Sequence, residues 1–240
     1  MIARDAARAT LAAGTARLWR VRFATGRERP SSTEEGVTEF ARRRTRTTIE
    51  HDMAGAMDYL ERIVDRWPWL ADDDDPVGPS EMLYAGTASF HVAGDGPPVQ
   101  LGGDVDAPRR GHTDPTWILD VLAHAGSEER LAAGCVRFAT DLADTGAAIE
   151  LPPVRGRTAP RVAGEAWLDA AGRIRRATWR VVPRRDPDAH VAWSTTDLWD
   201  FGVPVEIDRP EPAAETPLPI ALAQLARALR RRKRAYERRA

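Results

Sequence analysis

Residues Gly164 to Arg176 (GEAWLDAAGRIRR) read as strand, tight turn, strand, and Trp193 to Asp208 (WSTTDLWDFGVPVEID) as a long strand broken at Asp200-Phe201-Gly202. Alternating apolar and polar side chains around glycine-bearing turns fit a pleated surface with one buried face. The chain is therefore expected to build on an antiparallel sheet.

Other segments extend this frame. Residues 4–14 have helix-forming composition and end at Gly14, a C′ glycine. Leu18 to Thr25 reads as a half-buried strand, with Trp19, Val21 and Phe23 inward and Arg20 and Arg22 outward. Gly26 to Gly36 carries turn residues, and Val37 to Thr48 reads as a Thr-rich strand containing Arg42-Arg43-Arg44. From Ile49 the period lengthens through Met53, Met57, Leu60, Val64 and Trp67, the pattern of an amphipathic helix closed by Pro68. Leu83 to Val92 reads as one strand, residues 94–112 as hairpin turn plus long loop, and Thr113-Asp114-Pro115 as the start of a buried helix reaching Gly126. Further strands are expected at Cys135–Leu142, Arg161–Asp169, Arg173–Pro183 and His190–Asp200, with Ala170-Ala171-Gly172 as a hairpin turn.

Composition bounds the function. The 240 residues are 42% hydrophobic with eight Trp, enough for one good core and against wholesale disorder. No run approaches the ~18 apolar residues of a membrane span, so no transmembrane segment is expected. Met1 leads into an apparent helix without an apolar signal region, which gives a cytoplasmic expectation. Cys135 is the single cysteine and reads as a small buried strand residue. All 35 basic residues except Lys233 are Arg, a bias that makes Arg abundance weak evidence for phosphate binding.

Catalytic patterns are missing. His51, His91, His112, His124 and His190 are scattered without metal-ligand spacing, and four adjacent acids at Asp72–Asp75 read as a solvated loop. No serine sits in a nucleophile motif, and the glycines of 94–112 match no nucleotide-binding pattern. Asp200-Phe201-Gly202 resembles the kinase magnesium triplet, but no companion motif accompanies it. No catalytic residue, cofactor or metal is assigned.

The order of elements resembles the LolA-like fold, and within it the actinobacterial LppX/LprG-type lipoprotein family. The resemblance is carried by Gly36-Val37-Thr38-Glu39-Phe40-Ala41-Arg42-Arg43-Arg44, Leu83-Tyr84-Ala85-Gly86-Thr87 and Asp114-Pro115-Thr116-Trp117-Ile118-Leu119. It continues through Ala166-Trp167-Leu168-Asp169-Ala170-Ala171-Gly172-Arg173 and Asp200-Phe201-Gly202-Val203-Pro204-Val205. It implies an α+β fold, a curved antiparallel half-barrel over residues 1–210 with helices on its concave face; the residues themselves give the linker and basic amphipathic helix expected over 211–240. The resemblance also implies a non-enzymatic carrier or sensor that holds a hydrophobic small molecule or lipid in the half-barrel cavity between sheet and helices. Exported relatives carry an export signal and often an N-terminal cysteine, and neither stands in this sequence, so the expectation is a cytoplasmic member unless the start has been trimmed.

Trp19, Phe23, Tyr84, Phe90, Trp117, Phe138, Trp167, Trp179 and Trp193 are the candidate pocket residues, with the loop 94–112 and helix 114–125 as a candidate lid. Two outcomes stay open: these aromatics line an apolar pocket, or they fill the core between sheet and helix. The second functional reading is a regulatory protein–protein interaction module with a closed core.

The C-terminal segment carries an apolar stripe, Leu218, Leu222, Leu225 and Leu229, and a basic run, Arg230, Arg231, Arg232, Lys233 and Arg234. From Pro217 onward there are eight basic residues and one acidic, so the rest of the chain carries a net −8. Docking on the parent domain or a protein partner, contact with anionic lipid, and nucleic-acid binding all compete for this tail.

Overall fold

The structure, a computed structural model, describes residues 2–24, 32–51, 80–93, 98–149, 160–182 and 192–209. Among these, eleven strands form one open, curved antiparallel sheet. They are β1 (Thr15–Ala24), β2 (Ser32–Glu39), β3 (Arg44–His51), β4 (Ser80–Ala85), β5 (Ala88–Ala93), β6 (Val99–Gly102), β7 (Ser127–Ala132), β8 (Cys135–Asp141), β9 (Arg161–Leu168), β10 (Ile174–Val182) and β11 (Ala192–Trp199). The spatial order is β6-β5-β4-β3-β2-β1-β11-β10-β9-β8-β7, so the first and last strands meet at the centre.

Among the described residues two α-helices pack on one face of this sheet: α1 (Ile2–Ala12) and α2 (Trp117–Ala123). Small residues on α1, Ala3, Ala6 and Ala7, let it lie close to α2 and to the sheet. Thr10 fixes its height: the hydroxyl donates to Ala6 O at 2.7 Å and accepts the Ile174 N–H at 2.7 Å. Gly14, at φ 82°, ends the helix in the left-handed region, as its sequence position implies. The core then joins Leu18, Trp117, Leu119, Phe138, Val162 and Leu198, all buried between helices and sheet.

The β9–β10 hairpin is the one the sequence indicates, and Asp169 builds its turn. Its carboxylate accepts the backbone N–H groups of Ala171 and Arg173, each at 2.9 Å, and Arg173 Nε at 2.8 Å. Burial alone would raise the Asp169 carboxyl, but these hydrogen bonds and the Arg173 charge hold it below the usual carboxylate range. Asp169→Ala is expected to cost roughly 1–2 kcal/mol near neutral pH. A carboxyl whose folded pKa is depressed stabilises above its unfolded value, about 3.9, and the contribution is lost as pH falls through the folded value. Urea midpoints of wild type and variant should therefore converge in acid, and a gap that stays constant would remove Asp169 as the cause.

Several expectations are corrected. The strand expected across 83–92 is the hairpin β4–β5, turning at Gly86-Thr87. Arg42 and Arg43 sit in the β2–β3 turn, with Arg43 at φ 50°, not inside a strand, and β2 already begins at Ser32. Ile49 belongs to β3 rather than to a helix; the rest of that expected helix, Met53 and Met57 included, lies outside the described residues. Helix α2 starts at Trp117 because the Asp114 carboxylate instead accepts the Thr116 N–H, forming a turn ahead of it. The chain does break at Asp200 (φ 48°) and Gly202 (φ 81°), but residues 203–209 do not resume a strand. Strands β6 and β7 were not expected; β7 is a polar edge (SEERLA) with no apolar alternation to mark it.

The largest correction concerns β1. Ala16, Leu18 and Arg20 face the helices and are buried, whereas Trp19 and Phe23 lie on the outer face. The face assignment made from the alternation is inverted, because Arg20 is charge-paired inside and the outer face carries an aromatic stack.

Candidate functional site

On the helix-bearing face, Arg20 and Glu34 are direct cross-strand neighbours on β1 and β2, and each is only 1% exposed. They form an ion pair through Arg20 Nη2 and Glu34 Oε1. The second carboxylate oxygen accepts the Tyr84 hydroxyl at 3.1 Å and the Thr47 hydroxyl at 3.3 Å, so both oxygens are occupied. Burial by itself would raise the Glu34 carboxyl; the Arg20 and Arg22 charges and the hydrogen bonds from Arg20 and Tyr84 outweigh it and hold it low. Burial also pushes the Tyr84 phenol well above its ordinary value, so it remains a donor.

This network fastens the segment that leads into α2. Arg20 Nη1 and Arg22 Nη2 both donate to Thr113 O, at 2.8 Å each. The buried Asp114 carboxylate accepts Thr45 at 3.3 Å and both the N–H and hydroxyl of Thr116 at 2.7 Å. Burial pushes the Asp114 carboxyl up, against the pull of Arg110 and Thr116. Arg110 ties the same segment to Asp120 at 2.7 Å and to Phe40 O at 2.8 Å. Arg20, Glu34, Tyr84, Arg110 and Asp114 are buried and each is hydrogen-bonded, with Arg20 Nε and Arg110 Nε left without a partner, so the arrangement anchors this segment to the sheet.

The second place lies on the opposite face, over β7–β11. There a groove of about 870 Å³ runs along the outer side of the sheet. Trp167 and Trp193 wall it, Ala163, Gly164 and Thr178 form its floor, and apolar surface dominates its lining. Trp193 is held upright by Phe23, stacked at a centroid distance of 3.7 Å and 5° between planes. Arg137 lies at the β7–β8 side, bonded to Glu129 at 3.2 Å and Glu165 at 3.0 Å.

The nine candidate aromatics are thus divided between the two faces. Tyr84, Trp117, Phe138 and Trp179 are buried on the helix side, where Trp117 and Trp179 pack at 5.4 Å. Trp19, Phe23, Trp167 and Trp193 lie outside, and Phe90, fully buried, shares the face of Leu83 opposite Tyr84. Trp167, Trp193, Phe138 and Trp179 contribute to the groove; the other five do not. The segment 113–123 is packed into the core, and the basic tail Arg230–Arg234 lies outside the described residues. Arg20, Glu34 and Asp114 went unrecognised in the sequence. The available signal was an Arg and a Glu flanking a turn-rich stretch, which an antiparallel pairing brings together.

Among the described residues no cluster of three or more His, Cys, Asp or Glu could hold a metal ion. Nor is any helix among them long and apolar enough to cross a membrane. No protein-family model matches the chain, and no curated protein does. Among solved structures it is similar to the lipoprotein LppX of Mycobacterium tuberculosis, with 10% identity and a TM-score of 0.41 over 86% of this chain and 98% of that one. At that identity and TM-score the likeness transfers no residue roles.

Proposed function

We propose that the chain is a non-enzymatic binding protein that holds a hydrophobic molecule in the outer-face groove. The observation that carries this reading is the groove itself: about 870 Å³, mostly apolar, with two tryptophan walls fixed by the sheet. That volume lies in the range of small-molecule sites, roughly 300–1,000 Å³, and accommodates an acyl chain. Apolar contact supplies the affinity, at about 0.8 kcal/mol per methylene removed from water.

The test is uptake of a fluorescent long-chain fatty acid by the purified chain, with calorimetry on dodecanoate. Binding is expected in the wild type. Trp193→Ala removes one wall and should weaken it at least about tenfold, the equivalent of ~1.4 kcal/mol. Trp19→Ala, on the same face but outside the groove, should leave it unchanged. No uptake by the wild type would sink the proposal.

A further inference from the structure

We infer that the ligand of this groove is an anionic amphiphile, with its head group held by Arg161 and Arg180 at one end; the inference rests on the groove reading above. On the outer face, cross-strand arginines elsewhere meet acids. Arg176 binds Asp197 at 2.6 Å, Arg46 binds Glu81 at 2.7 Å, and Arg137 binds both Glu129 and Glu165. Arg161 and Arg180 break this pattern. Both line the groove, and neither makes an ion pair or side-chain hydrogen bond among the described residues.

The register places these two guanidinium groups together. Arg180 on β10 lies opposite Ala163 on β9, and Arg161 lies opposite Val182. Arg161 and Arg180 are therefore diagonal neighbours on one face, a spacing of roughly 7–8 Å between strands that long side chains easily bridge. Two like charges so placed repel one another; Asp141, the cross-strand neighbour of Arg161 on β8, accepts the Ala143 N–H at 3.1 Å, and among the described residues no ion pair offsets the two arginines. An anion between them would. Arg180 also lies directly opposite Trp193 on β11, so the cationic end is continuous with the apolar wall. The opposite, β7–β8 side is acidic, with the cation Arg137 between Glu129 and Glu165.

The groove thus has a polarity: a cationic end without an ion pair among the described residues, an apolar body and an acidic far side. Its complement is an acceptor-only head, such as carboxylate, phosphate or sulfate, on an apolar chain. A free anion would satisfy the arginines but leave the tryptophan walls unused. A neutral lipid would do the reverse.

The experiment compares dodecanoate, methyl dodecanoate and inorganic phosphate by calorimetry at low salt, below micelle formation, on the wild-type chain and on R161Q/R180Q. Dodecanoate is expected to bind about tenfold or more tightly than its ester, the scale of charged hydrogen bonds. Phosphate alone should not bind measurably. In R161Q/R180Q the acid should fall to the level of the ester, while the ester binds as before, which also shows that the variant is folded. Added salt should narrow the gap between acid and ester in the wild type. Equal binding of acid and ester, an acid preference that survives R161Q/R180Q, or tight binding of phosphate alone would each overturn the inference while leaving a hydrophobic groove. Failure of acid and ester alike would remove the groove reading itself.

Discussion

Glu34→Ala is expected to lower the stability of the fold by roughly 3–5 kcal/mol. The mechanism is not the lost attraction alone. The variant leaves the Arg20 guanidinium fully buried and without its counter-charge, and it strips the acceptor from Tyr84 and Thr47. If this is right, removing the charges as a pair should cost much less. Arg20→Met with Glu34→Leu is expected to recover most of the loss, and Tyr84→Phe added to it should recover more by deleting the stranded hydroxyl. Urea denaturation of the single, double and triple variants measures this. A loss below about 1 kcal/mol for Glu34→Ala would mean that water reaches the site.

The pH dependence carries a sign. The folded Glu34 carboxyl is depressed, so its contribution is present above the ordinary value of about 4.3 and is lost as pH falls through the folded value. Asp114 acts the other way, because its folded pKa is raised. Its contribution is complete below the ordinary aspartate value of about 3.9 and fades as pH rises through the folded one. Two buried carboxyls of opposite sign, joined through the same loop, partly cancel in the acid limb of the wild type. The difference between wild type and Glu34→Ala isolates the first of them and should shrink in acid.

What could be seen in the sequence followed the range of the forces involved. Strands β8 to β11 were legible because alternation and the Asp169–Arg173 turn are local features, and α1 because Gly14 stops it. The β4–β5 hairpin escaped for a geometric reason. A two-residue turn at Gly86-Thr87 lets the alternation run on unbroken while the facing inverts: Tyr84 pairs with Ser89, and Phe90 falls on the other side. The face of β1 was misjudged because Trp19, Val21 and Phe23 outweigh Arg20 on any hydropathy pattern. Arg20 is inside only because Glu34, fourteen residues later, is its cross-strand partner. The groove was illegible for the same reason. Trp193, Arg180, Ala163 and Arg137 come together only through the register of four neighbouring strands.

Gly36→Ala and Gly164→Ala should each cost about 3 kcal/mol, more than an ordinary strand glycine deserves. Both lie in mid-strand at positions facing the helices, where the sheet curls inward. A Cβ on Gly36 would stand 1.9 Å from Arg46 O and 2.7 Å from Thr47 Cα; on Gly164 it would stand 2.0 Å from Thr178 O and 2.8 Å from Trp179 Cα. The obstacles are backbone atoms of the next strand, which cannot rotate aside, so the strands must part and the curvature must relax. Gly172→Ala is the control: there φ is 76° and a Cβ meets nothing within 4 Å, leaving a conformational cost of about 1–2 kcal/mol. The two mid-strand variants should then differ in function. Relaxing β9 against β10 at Gly164 displaces Thr178, Arg180 and Arg161 at the groove, whereas Gly36 lies on the far side of β1. Dodecanoate binding is expected to weaken in Gly164→Ala and to survive in Gly36→Ala at equal loss of stability. Equal weakening in both would mean that the groove responds to global stability rather than to the local register of these two strands.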